Sequence, residues 1–156
     1  VRRILLDTGQ PASFLELEIT ESSLMQDALE TTAILDELAA LGVRITIDDF
    51  GTGYSSLSYL KRFQVHKIKI DQSFVRDVTT DADDAAIVTA VVGLAKSMGL
   101  ETIAEGVERQ DQLNVLLALG CYKFQGNLFS LPLPASAADR IFSPVLPQGM
   151  QQQSFF

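Results

Sequence analysis

The chain has 156 residues, 47% of them hydrophobic, and a formal charge of −8 from 20 acidic and 12 basic residues. That length and apolar content suffice for one domain with its own core, and the negative charge argues against a broad electrostatic footprint on DNA or RNA, so no nucleic-acid polymer is expected as a partner. A single cysteine, Cys121, excludes an intrachain disulfide framework and points to the cytoplasm, and the nearly apolar stretch at 85–95 is well short of the roughly 20 residues of a membrane helix.

Taken in chain order, "VRRILLDTGQP" reads as the end of a helix closed by Gly9 and stopped by Pro11. A start without methionine, inside a helix, is expected of a piece of something longer. Strands are predicted at 14–19, 43–48, 66–71, 101–105 and 122–126. Helices are predicted between them, at 23–41 before Gly42, at 55–62, at 83–98 before Gly99 and at 109–119 before Gly120. The domain is expected over 1–140. Residues 141–156 are expected to form a C-terminal tail, whose glutamine-rich end "PQGMQQQSFF" at 147–156 lacks periodicity.

A βα repeat predicts a parallel sheet. In a doubly wound sheet the strands would be apolar on both faces, yet here Leu15, Leu17 and Ile19 alternate with Glu16, Glu18 and Thr20. The pattern recurs with Val43, Ile45 and Ile47 against Arg44, Thr46 and Asp48, and with Ile68 and Ile70 against Lys67, Lys69 and Asp71. A polar face that meets other polar faces suits the interior of a (β/α) TIM-type barrel, to which the five βα units here would contribute. Its active site would lie at the carboxyl ends of the strands, where Glu18, Asp48 with Asp49, Lys69 and Glu105 stand. Four carboxylates around one ammonium call for further cations, and oxygen-only ligands point to Mg²⁺ or Mn²⁺ in a two-metal site of the kind that cleaves phosphodiesters.

"LELEITES" at 15–22, "DDFGTGYSSL" at 48–57, "KIKIDQSFV" at 67–75, "AEGVE" at 104–108 and "QGNLFSLPLP" at 125–134 together resemble the EAL domain, the bacterial phosphodiesterase of cyclic di-GMP. The resemblance implies a (β/α)8 barrel that opens cyclic di-GMP to linear pGpG with two divalent cations, Mg²⁺ or Mn²⁺. It implies metal ligands at Glu18, Asp48 and Asp49, a water-orienting Lys69, a carboxylate at the metal and water site in Glu105, and a water or substrate contact in Gln125. Glu21 is similar to the glutamate that anchors the following loop. That loop, with Phe50, Gly51, Thr52, Gly53, Tyr54 and Ser55, couples dimerisation to metal binding in the family, so a homodimer is implied. Sensor or diguanylate-cyclase-like domains are expected in a parent protein.

The sequence departs from the pattern in lacking the Glu-Ala-Leu glutamate and a metal-binding asparagine of earlier strands, and in having Asn127 where the family has tyrosine. A catalytically inactive module that binds cyclic di-GMP or a protein partner therefore stands as an alternative, as does a fragment that pairs its open edges. Other readings are blander. "DDFGTG" alone suits a strand-to-helix turn, and Lys69 alone suits a Schiff-base barrel, although neighbouring carboxylates oppose a neutral amine. Glu16 and Lys67 read as a lumen pair, His66 as structural and Cys121 as packing. Glu108 is either a helix N-terminal charge or a ligand.

Overall fold

The computed structural model describes residues 1–26, 28–53 and 60–137. A short helix α1, Arg2–Thr8, ends at Gly9 with φ 67°. Four parallel strands follow in sequential order across one sheet: β1 Glu16–Thr20, β2 Arg44–Phe50, β3 Lys67–Ile70 and β4 Glu101–Ala104. The connecting helices are α2 Glu21–Gln26, α3 Ala28–Ala40, α4 Gln72–Arg76, α5 Ala82–Met98 and α6 Gln110–Ala118.

The alternation in the strands decides which face the helices cover. Ile45, Ile47, Ile68 and Ile70 are at most 1% exposed and pack with Leu35 of α3, Val88, Val92 and Ala95 of α5 and Leu116 of α6. Burying each isoleucine is worth roughly 1.5–3 kcal/mol, enough to fix the strand register because a one-residue slip would turn that set into the charged lumen. The opposite face carries Glu16, Glu18, Arg44, Thr46, Lys67 and Lys69, as the parity predicts.

Helix ends follow local chemistry. Asp81 caps α5 by accepting from the Asp83 and Asp84 N–H groups at 2.8 and 3.4 Å, and Gly99 closes it in the left-handed region at φ 70°. The helix α4, absent from the predicted elements, starts where Asp71 Oδ1 accepts from the Ser73 N–H at 2.8 Å. The buried Gln112 of α6 joins it to α4, accepting from the Glu108 and Arg109 N–H groups at 2.9 Å and donating to the Arg76 carbonyl at 3.1 Å.

Two predicted strands need correction. The run at 14–19 opens with a 3-10 turn, Ala12–Phe14, because the Phe14 and Leu15 N–H groups bond back to the Pro11 and Ala12 carbonyls at 3.0 Å. The run at 122–126 is reduced to one parallel bridge between Ala104 and Phe124. Gly106, at φ 67°, breaks the extended backbone after Glu105, so contacts such as the Val107 N–H to the Gln125 carbonyl at 3.1 Å join loops rather than a ladder. The predicted helix at 55–62 falls mostly outside the described residues, and the predicted tail at 141–156 lies wholly outside them.

The most consequential irregularity is in β2. Ile47 pairs with Ile68 and Phe50 with Ile70, so three steps on β2 oppose two on β3. This bulge coincides with Asp49 at φ 52°, the one non-glycine residue with positive φ among those described. Strict alternation would send Asp49 to the core with Ile45 and Ile47. The extra residue instead leaves Asp48 and Asp49 both half-buried on the lumen side and returns Phe50 to the core.

Candidate functional site

The lumen holds two tiers of charge. In the tier near the strand starts, Glu16 Oε1 accepts from Lys67 Nζ and from Thr46 Oγ1, each at 2.6 Å. Glu101 accepts from Arg44 at 3.1 Å and pairs with Lys123 at 2.9 Å. The expected lumen pair of Glu16 and Lys67 is therefore present. Although burial works against it, Lys67, Thr46 and Arg44 hold the Glu16 carboxyl below its ordinary range, and Lys123 does the same for Glu101.

At the carboxyl ends, the Lys69 ammonium sits among three carboxylates, 2.8 Å from Glu18, 2.9 Å from Asp48 and 2.8 Å from Glu105. Burial opposes its charge, but Asp48, Glu105 and Glu18 outweigh burial and raise its pKa above the usual lysine value. An ammonium so held does not provide the neutral amine of Schiff-base chemistry. Burial, with Asp48 and Asp71 adding to it, pushes the Asp49 carboxyl up. Burial likewise pushes Glu105 up, against the opposing pull of Lys69.

Asp48, Asp49 and Glu105 each offer an oxygen, all within 4.8 Å of one another. The buried Asp48 Oδ1 has no hydrogen-bond partner: Lys69 Nζ is close, but not along a hydrogen-bonding direction. An unsatisfied oxygen in an all-oxygen cluster fits a hard divalent cation. Of the residues the sequence marked as ligands, Asp48 and Asp49 belong to this cluster together with Glu105, whereas Glu18 lies outside it, hydrogen-bonded to Lys69 at 2.8 Å.

A cavity of about 270 Å³ opens beside the cluster, lined by Asp49, Asp71, Glu105, Glu108, Gln125 and Asn127 among others. Gln125 thus reaches the same space as the carboxylates. Glu108 stands ahead of the first turn of α6 and accepts from Asn127 Nδ2 at 3.4 Å, so it borders this cavity with the residue that departs from the family pattern. Gly126 is indispensable here, since any Cβ would run into the Val107 backbone.

Glu21 is 3% exposed, and its Oε2 accepts from the Gly51 N–H at 2.9 Å. A Cβ on Gly53 would lie 3.0 Å from Glu21 Oε1, so the small residue lets the loop close over the carboxylate. Thr52 Oγ1 bonds the Asp49 carbonyl at 2.8 Å, tying the loop to the bulge. Phe50 is buried, while Tyr54 and Ser55 lie outside the described residues.

The family model described as "EAL domain" matches residues 1–132. The chain belongs to the EAL domain family. It is 50% identical over 135 residues to the bifunctional diguanylate cyclase/cyclic di-GMP phosphodiesterase MucR of Pseudomonas aeruginosa, an alignment covering 86% of this chain and 20% of that protein. A solved MucR phosphodiesterase in complex with c-di-GMP superposes with a TM-score of 0.86 at 48% identity, covering 88% of this chain and 56% of that one. The Klebsiella pneumoniae BlrP1 manganese/cy-diGMP complex superposes with a TM-score of 0.77 at 39% identity, over 82% of this chain and 33% of that one. The sheet of this EAL chain is accordingly part of a TIM-type barrel.

Sequence reading passed over Asp71 and Gln72, which also line the cavity of this EAL domain. Asp71 continued the polar parity of β3, and the Ser two residues on was the local signal of its capping role. The Ser73 hydrogen bonds, with that to Asp49, lower its pKa against the effect of burial. His66 is structural as expected, its Nδ1 accepting the Ile45 N–H at 3.2 Å, and Cys121 is buried, with burial pushing its thiol up. No helix among the described residues is long and apolar enough to cross a membrane.

Proposed function

We propose that this chain carries the carboxyl-terminal part of a cyclic di-GMP phosphodiesterase that hydrolyses its substrate to linear pGpG using Mg²⁺ or Mn²⁺. The observation that carries the reading is the meeting of Asp48, Asp49 and Glu105 within 4.8 Å of one another, beside Lys69. Membership of the EAL family and the manganese and c-di-GMP complexes of its relatives support it.

In this reading Asp48, Asp49 and Glu105 hold divalent cation, with Glu18 at the edge of the group. When bound, the cations supply charge neutralisation at a phosphodiester and acidify water. Lys69 contributes a fixed positive charge where negative charge develops on the phosphate, and its burial strengthens that effect. Gln125, with Glu108 and Asn127, offers polar contacts to the substrate in the adjoining cavity. Glu21 acts indirectly, holding Gly51 and through it the turn that presents Asp49. The loop it holds is proposed to contribute to a homodimer, and the parent protein to carry cyclase-like or sensor domains.

The test is conversion of cyclic di-GMP to pGpG with Mg²⁺ or Mn²⁺, on this chain and on a longer protein containing it, each beside Asp48→Asn. Turnover that the substitution abolishes supports the reading. Binding of cyclic di-GMP by the longer protein without turnover replaces it with a receptor role.

A further inference from the structure

Two cavities share one wall. The first, of about 270 Å³, adjoins the carboxylate cluster, and the second, of about 280 Å³, is lined by Ser73, Arg76 and Gln112. Asp71, Gln72, Gly106 and Glu108 line both. A partition with space on either side has little packing to fix it, so its position falls to hydrogen bonds. Gln112 supplies them. It is 1% exposed, its Oε1 accepts from the Glu108 and Arg109 N–H groups at 2.9 Å, and its Nε2 donates to the Arg76 carbonyl at 3.1 Å. One buried amide therefore ties the loop that carries Glu105 and Glu108 to the end of α4. The same two segments abut at Gly106, where a Cβ would lie 2.7 Å from the Gln72 Cβ.

Glu108 lies outside the three-carboxylate cluster and accepts from Asn127 Nδ2 at 3.4 Å. A carboxylate only accepts hydrogen bonds, and the phosphodiester of a cyclic dinucleotide is itself an anionic acceptor, so the two repel. The N–H groups of a guanine edge, or a ribose hydroxyl, are the donors such a substrate can offer it. We propose that Gln112 is a positioning residue, holding Glu108 toward the nucleoside part of the substrate while the cluster handles the phosphate. Glu105 is held independently of it. The Glu105 N–H donates to the Ile70 carbonyl at 3.2 Å, and the Val107 N–H to the Gln125 carbonyl at 3.1 Å. Loss of the Gln112 amide therefore releases Glu108 and leaves Glu105 in place, and the effect belongs to substrate binding rather than to turnover.

This role rests on the phosphodiesterase reading, and the experiment keeps the two failures apart. A longer protein containing this chain is compared as wild type, Glu108→Gln, Gln112→Met and the double variant, with kcat and KM measured for cyclic di-GMP. Gln112→Met is expected to raise KM about tenfold with kcat within about threefold of wild type. The double variant is expected to bind no more weakly than Glu108→Gln alone, because Gln112 acts through that carboxylate. An unchanged KM, a fall in kcat as large as the rise in KM, or an equal effect of Gln112→Met with and without the Glu108 carboxylate overturns the positioning role and leaves the phosphodiesterase standing. Glu108→Gln changes an exposed side chain and does not depend on Gln112→Met folding. It must raise KM by itself, and an unchanged KM there overturns the proposal. Should the wild type bind cyclic di-GMP without turnover, the phosphodiesterase reading falls and the same cycle measured in Kd decides the role of Gln112. Neither binding nor turnover by the wild type overturns both.

Discussion

Asp49 combines two unfavourable circumstances, a left-handed backbone at φ 52° and a carboxyl crowded by Asp48 and Asp71. An L-residue in that region costs about 1–2 kcal/mol, less for Asp than for most. Asp49→Gly removes the strain and the like charge and is expected to stabilise the metal-free chain by about 0.5–1 kcal/mol in urea unfolding, while weakening Mn²⁺ binding. Greater stability with weaker binding marks a residue kept for its ligand. At Gly126 the balance runs the other way. Gly126→Ala drives a Cβ into the Val107 backbone beside the cavity, with an expected loss of roughly 2–3 kcal/mol in the same measurement.

Among the elements, α5 lends itself to prediction because its ends and its middle are governed by separate chemistry. Asp81 satisfies two of its first N–H groups, so Asp81→Ala is expected to cost about 1 kcal/mol. Gly93 lies inside the helix with open space where a Cβ would stand, and Gly93→Ala is expected to return about 0.5–1 kcal/mol. Urea midpoints of the single and double variants check both, and near-additivity is expected from sites about three turns apart. The bulge in β2 has no such simple remedy. It is shared between strands, since the step from Ile47 to Phe50 is matched against Ile68 to Ile70.

For the molecule as a whole, the two tiers of the lumen respond oppositely to pH. Glu16 and Glu101 have folded pKa values below their unfolded ones, so their contribution is present above about pH 4.3, the ordinary glutamate value, and is lost as pH falls through the lowered folded values. Asp49 and Glu105 are raised, so the stability they confer is present below their ordinary values and is lost as pH rises through the raised ones. The metal-free chain is therefore expected to be most stable on the acid side of neutrality. Glu16→Gln should cost about 1 kcal/mol at pH 7 and flatten the acid limb of a urea-midpoint profile. An acid limb as steep as that of the wild type would show that the loss arises elsewhere.

How much was legible follows from the range of the interactions concerned. Alternation along a strand is a property of neighbouring residues, so Ile45, Ile47, Ile68 and Ile70 announced the helix-covered face and Glu16, Glu18, Lys67 and Lys69 the lumen. Capping is equally local, and Gly42, Gly99 and Gly120 marked helix ends that the structure keeps. The motifs named the family. Only tertiary structure decided that Asp48 and Asp49 share one face, because the bulge exists only relative to the partner strand β3. It also decided that Lys69 contacts Glu18, Asp48 and Glu105 together, and that 122–126 makes a bridge instead of a strand. Those outcomes depend on where the ends of separate strands meet across the lumen, a separation that periodicity within any one of them does not encode.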